Sequence, residues 1–208
     1  MRDLVFTNGE YYHIFIRGVD KRKIFIRKHH YEKFIATIEH LMHFGTAQQH
    51  VITRQNQAFQ KKLSLICYCL MPNHYHFLIR QLEDEAISDF MHRLNTSYTK
   101  NFNLDRRRTG RLFEHTFKAV HIENEDQLLH VSRYIHLNPL VACLIDDLNI
   151  FFWSSFLEYI GKRESVFCEK REILQYFPDN SCQKYREYVI DYVDYARSLQ
   201  QIKKYLFD

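Results

Sequence analysis

The chain has 208 residues, 46% of them hydrophobic, enough for one domain of ordinary size plus an appendage and too apolar for wholesale disorder. Lys and Arg number 29 against 25 Asp and Glu, so the net charge of +4 permits a polyanionic partner without demanding one. There is no apolar run near the ~20 residues of a membrane span, no signal-peptide h-region, and no C-x-x-C spacing among five cysteines. A soluble, cytoplasmic protein with free thiols and no membrane partner is expected.

In chain order, "YYHIFIRG" (11–18) is rich in aromatic and β-branched residues and predicts a strand. Phe34, Ile38, Leu41 and Met42 recur at helical spacing within 30–44. Residues 45–62 are polar with scattered apolar positions and predict a long loop. "LSLICYCLM" (63–71) and "HYHFLIR" (74–80) predict two strands joined by a tight turn at Pro72-Asn73. A helix is expected over 84–103 with Ile87, Phe90, Met91 and Leu94 inward, then a strand over 117–123. Acidic residues open a further helix over 124–145, carrying Leu128, Val131 and Ile135 inward. Short amphipathic helices rich in tyrosine follow.

The order β-α-β-β-α-β predicts an α+β, ferredoxin-like antiparallel sheet, followed by an added helix and a helical C-terminal tail. The expected division is 1–160 for the sheet domain and 161–208 for the extension.

Two stretches carry candidate chemistry. In "MPNHYHFLIR" (71–80), His74 and His76 are two apart on a strand and share a face with Leu78, while Tyr75, Phe77 and Ile79 face the helices. Two imidazoles so placed either converge on a metal ion or are half-exposed and hydrogen-bonded locally. In "RYIHLNPL" (133–140), Tyr134 and Asn138 are one helical turn apart, with His130 a turn before. They form either a nucleophile with a ligand or a packed tyrosine, with Asn138-Pro139 opening a new short helix. Tyr98 is the competing tyrosine, but it continues the apolar stripe of Phe90, Met91 and Leu94. Two basic runs, "RGVDKRK" (17–23) and "DRRRTGR" (105–111), read as solvated surface or as phosphate contacts.

Taken in order, "YYHIFIRG", "YCLMPNHYHFLI", "GRLFEHTFKAVHI", "RYIHLNPLVA" and "WSS" resemble the single-tyrosine transposases of the histidine-hydrophobic-histidine nuclease superfamily, and most closely the REP-associated tyrosine transposases. The resemblance runs from Tyr11 to Ser155. It departs from the family at Tyr75, where an aliphatic residue is usual, and in the long polar segment 45–62. It implies that the added helix carries the nucleophile Tyr134 and that His74, His76 and Asn138 bind Mg²⁺ or Mn²⁺. It further implies cleavage and rejoining of single-stranded DNA beside a hairpin through a 5′-phosphotyrosine link, by a monomer or a homodimer. Beside such a site, Arg17, Lys21, Arg22, Lys23, Arg106, Arg107, Arg108 and Arg111 become phosphate contacts. The rival readings are a non-catalytic hairpin-binding protein and a small-molecule metallohydrolase. The latter needs a carboxylate base, and none is evident from the sequence.

Overall fold

The computed structural model of the chain describes residues 4–44 and 58–198. Strands β1 (Tyr11–Arg17), β2 (Leu63–Met71), β3 (His74–Gln81) and β4 (Lys118–Ile122) form one sheet in the order β2-β3-β1-β4. Every pairing is antiparallel. Helix α1 (Lys28–His43) follows β1, and α2 (Ala86–Asp105) follows β3. The expected β-α-β-β-α-β order is therefore the observed one. Helix α3 (Glu125–Val141) comes next, then α4 (Phe156–Tyr159), α5 (Arg171–Leu174) and α6 (Cys182–Ile190). Of the expected polar loop, 45–57 lies outside the described residues, as does 199–208 of the tail; Phe59–Lys61 forms a 3₁₀ turn. Among the described residues, no helix is long and apolar enough to cross a membrane.

Strand alternation sorts the sheet into two cores. Tyr75, Phe77 and Ile79 of β3 join Tyr12, Ile14 and Ile16 of β1 beneath Phe34 and Ile38 of α1 and Phe90 and Leu94 of α2. Leu78 points the other way and packs with Ile122, Leu128 and Ile135 under α3. β2 breaks the alternation. A register shift between Leu65 and Cys67 leaves Leu65 and Tyr68 in the first core but turns both Ile66 and Cys67 to the second. Both faces of β2 are covered, so it reads as a continuous apolar run.

The start of α3 is fixed by the Asn124 side chain, which accepts a hydrogen bond from the Gln127 amide at 2.9 Å. The helix runs through Pro139 rather than breaking at Asn138. Pro139 sits in the last turn, where its missing N–H removes only one helical bond. The helix ends four residues before the predicted limit. Cys143 adopts a left-handed φ of 52°, and Leu144 N donates to Pro139 O at 2.9 Å while Cys143 N donates to Leu140 O at 3.1 Å. These are the two bonds of a Schellman closure, made here without glycine. Ile173, Leu174, Tyr185 and Val189 from the C-terminal segment complete the second core.

Candidate active site

β1 and β3 are neighbours, with Phe15 opposite His76 and Arg17 opposite His74. Side chains two apart share a face, so His13, Phe15 and Arg17 emerge beside His74, His76 and Leu78 on the α3 side of the sheet. Leu128, Ile135 and Leu140 seat α3 on that face, which leaves the Tyr134 ring on its flank, 51% exposed. The Tyr134 ring centroid lies 5.5 Å from His76 and 5.8 Å from His13, edge-on to both. The His74 and His76 rings are 5.0 Å apart. A cleft of about 270 Å³ is lined by these two histidines, Tyr134, Arg17, Lys118, Glu114 and His115. A second cleft, about 560 Å³, shares Arg17, His74 and Tyr134 and adds Asn138, Arg133 and Tyr192. Asn138 donates its amide to the Tyr134 carbonyl at 2.9 Å and hydrogen-bonds His74.

The imidazoles are held neutral. Burial lowers the His74 pKa to about 4, helped by the Arg17 guanidinium and opposed by the bond to Asn138. Burial likewise takes His13 to about 4. His76 is pushed well below its ordinary value by burial, with His13, His74 and Arg17 adding to the effect. Neutral imidazole is the form that ligates a metal. The Asn73 amide nitrogen donates to Lys21 O at 3.3 Å, so its carbonyl oxygen faces His74 Nδ1 at 2.6 Å. A carbonyl accepts only, so His74 Nδ1 carries the proton and Nε2 keeps its lone pair. His76 Nε2 is buried with no hydrogen-bond partner among the described residues. A buried orphan nitrogen on His76, the neutral His74 imidazole and the Asn138 amide beside it are ligand atoms that fit a divalent cation.

Tyr98, the competing phenol, is 1% exposed and donates to Ile24 O at 2.6 Å, and burial raises its pKa. It does not line the cleft. Of the basic residues singled out in the sequence, Arg17 lines both clefts. Arg22 is tied to Asp20 at 3.2 Å, and Arg108 to Asn103 at 2.7 Å and to Arg111 O at 2.9 Å. Lys21, Lys23, Arg106, Arg107 and Arg111 are exposed. The turn 18–23 rests on the Pro72-Asn73 turn, since Gly18 N donates to Asn73 O at 2.8 Å and Ile24 N to Pro72 O at 2.8 Å. His13, Glu114 and Lys118 were not singled out from the sequence. Alternation along "YYHIFIR" puts His13 in phase with Arg17, but only the β1–β3 pairing brings it to His76. Glu114 supplies a carboxylate at the cleft that the sequence alone did not reveal.

A second histidine cluster lies elsewhere. Ligand atoms of His29, His30 and Asp105 fall within 4.8 Å of one another. There, His30 Nδ1 accepts from the amides of Ile26 and Arg27, each at 3.1 Å, so its Nε2 carries the proton and donates to Asp105 at 3.1 Å. That geometry ties the start of α1 to the end of α2, and a cation would have to displace the proton.

The family model described as "Transposase IS200 like" matches residues 7–138, well over half of the chain. The chain belongs to the IS200-like transposase family. The matched span ends on Asn138 and contains the paired histidines and Tyr134. Among solved structures, this family member is similar to the REP-associated tyrosine transposase bound to a REP hairpin: TM-score 0.59, 13% identity, covering 78% of this chain and 86% of that one. The two share the fold. A protein described as a transposase, from Deinococcus radiodurans R1, aligns at TM-score 0.39 and 14% identity over 65% of this chain and 93% of its own. No curated protein matches the chain.

Proposed function

We propose that this transposase-family protein cleaves and rejoins single-stranded DNA beside a hairpin, with Tyr134 as nucleophile and a divalent cation, Mg²⁺ or Mn²⁺, held by His74, His76 and Asn138. The observation that carries the reading is the exposed Tyr134 ring standing 5.5 Å from the buried His76 ring in a cleft that also contains Arg17 and Lys118. In the reaction the Tyr134 Oη–P bond forms as the P–O3′ bond breaks. The phenolic proton is lost, the 3′ oxygen takes up a proton, and DNA remains linked through a 5′-phosphotyrosine. The link conserves a phosphodiester, so attack by a 3′ hydroxyl rejoins strands without ATP. A bound cation supplies charge neutralisation at the phosphoryl oxygens. Arg17 and Lys118 contribute fixed positive charge on the same side, and Asn138 holds its amide between the Tyr134 backbone and His74. The REP hairpin bound by the structural neighbour, together with the exposed Lys21, Lys23, Arg106, Arg107 and Arg111 of this chain, favours a foldback substrate over plain duplex.

The test is incubation with a hairpin-bearing single-stranded oligonucleotide and Mn²⁺, followed by a denaturing gel. A covalent protein–DNA adduct and a released 3′-hydroxyl fragment are expected, both lost in excess chelator. Hairpin binding without adduct would identify a binding module instead. Cleavage at full rate in chelator would remove the metal from the account, and equal action on a blunt duplex would remove the hairpin.

A further inference from the structure

His13 Nε2 and His76 Nδ1 are 2.9 Å apart, their rings stacked at 21° with centroids 5.1 Å apart. One nitrogen of this pair must carry the proton and the other the lone pair. If His13 donated, His76 would accept at Nδ1. A neutral His76 accepting at Nδ1 has its proton on Nε2, which would leave a buried N–H without a partner among the described residues. Orphaned buried N–H groups are rarer and costlier than bare acceptors. If His76 donates from Nδ1, its unpartnered Nε2 keeps its lone pair, in the same tautomer that Asn73 imposes on His74.

We propose that His13 is a positioning residue: it accepts the Nδ1 proton of His76, fixes that ring as the Nδ1–H tautomer, and so presents His76 Nε2 to the cation. The inference rests on the metal site proposed for His74, His76 and Asn138. A ligating histidine generally donates its second N–H to an outer partner, and loss of that partner weakens binding. Here the partner comes from a neighbouring strand. The same two rings form the wall against which Tyr134 stands edge-on, at 5.8 Å from His13 and 5.5 Å from His76. One hydrogen bond therefore orients the metal-facing nitrogen and the surface that locates the phenol.

Two measurements on the DNA-free protein test this. The first is Mn²⁺ titration calorimetry on wild type, His13→Phe and His13→Gln. Phe keeps a ring but cannot accept; Gln places a carbonyl oxygen near the lost Nε2. A 10- to 100-fold weaker Mn²⁺ affinity is expected for His13→Phe, with most of it recovered in His13→Gln. Wild-type affinity in His13→Phe, or equal loss in both variants, would overturn the proposal. Absence of Mn²⁺ binding by wild type would overturn the metal site itself. The second is the imidazole ¹⁵N spectrum of metal-free wild type, which needs no variant to fold. His76 is expected to be protonated at Nδ1. Protonation at Nε2 would overturn the assignment even if Mn²⁺ binds.

Discussion

His74 and His76 share one strand face yet are held by different means: a turn asparagine fixes His74, and a histidine from β1 touches His76. Both rings line the cleft that Arg17 and Lys118 also line. Replacing His76 with Ala is expected to abolish Mn²⁺ binding in calorimetry and cleavage on gels, with circular dichroism unchanged. Arg17 stands apart from the other arginines. It lines the cleft, whereas Arg22 and Arg108 are bonded within their own turns. Arg17→Ala is therefore expected to weaken hairpin binding and to flatten the slope of log affinity against log salt by ~0.7, one single-strand phosphate contact. Arg22→Ala and Arg108→Ala should change the slope less, and the comparison is made by fluorescence anisotropy between low and high salt. At this scale the paired histidines and Tyr134 were legible because strand and helix periodicities are local. His13 and Glu114 were not. Each reaches the cleft through pairing between segments more than 60 residues apart or through a loop whose path is tertiary.

Among the elements, α3 has the most demanding task, since it must seat on the sheet and hold a phenol on its flank. Apolar contacts do the seating, and a buried polar pin fixes the rotation. His136 Nδ1 meets Tyr185 Oη at 2.7 Å and His136 Nε2 meets Ser155 Oγ at 2.8 Å, which ties α3 to α6 and to the start of α4. His136→Leu leaves both hydroxyls short of a partner and is expected to lower stability by about 1–3 kcal/mol in urea unfolding. Burial depresses the His136 pKa from 6.5 to about 3, with Arg163 adding to the effect. The unfolded chain therefore binds this proton first as pH falls. The contribution is complete above about pH 6.5 and is lost progressively toward pH 3, so the acid side of the stability profile should flatten in His136→Leu. The Arg133 guanidinium is held between Tyr188 and Tyr192, at 4.3 and 3.7 Å from their ring centroids. Arg133→Leu is expected to speed hydrogen exchange over 185–198 while leaving the β3 amides protected. The limits of β2 and the inward positions of α2 follow from sequence patterns. The bulge at Ile66, the passage of α3 through Pro139 and the glycine-free closure at Cys143 do not, because tertiary packing overrides each local preference.

For the whole molecule, the cleft gathers side chains from β1, β3, the segment before β4, the start of β4, and α3. The C-terminal segment closes the far side of α3 and contributes Tyr192 to the second cleft. A site built within a single copy predicts that mixing Tyr134→Phe with His76→Ala protein restores no cleavage. Recovery of activity in the mixture would show instead that the tyrosine is exchanged between copies. The family assignment and the α+β fold make DNA strand chemistry the expected task, and the identity of the attacking phenol is its central claim. Peptide mapping of the trapped protein–DNA adduct tests that claim most directly. The nucleotide is expected on the peptide containing Tyr134, with Tyr134→Phe folding and binding hairpin DNA but forming no adduct, and Tyr98→Phe forming it. A nucleotide on the peptide containing Tyr98, or an adduct that persists in Tyr134→Phe, would contradict the account.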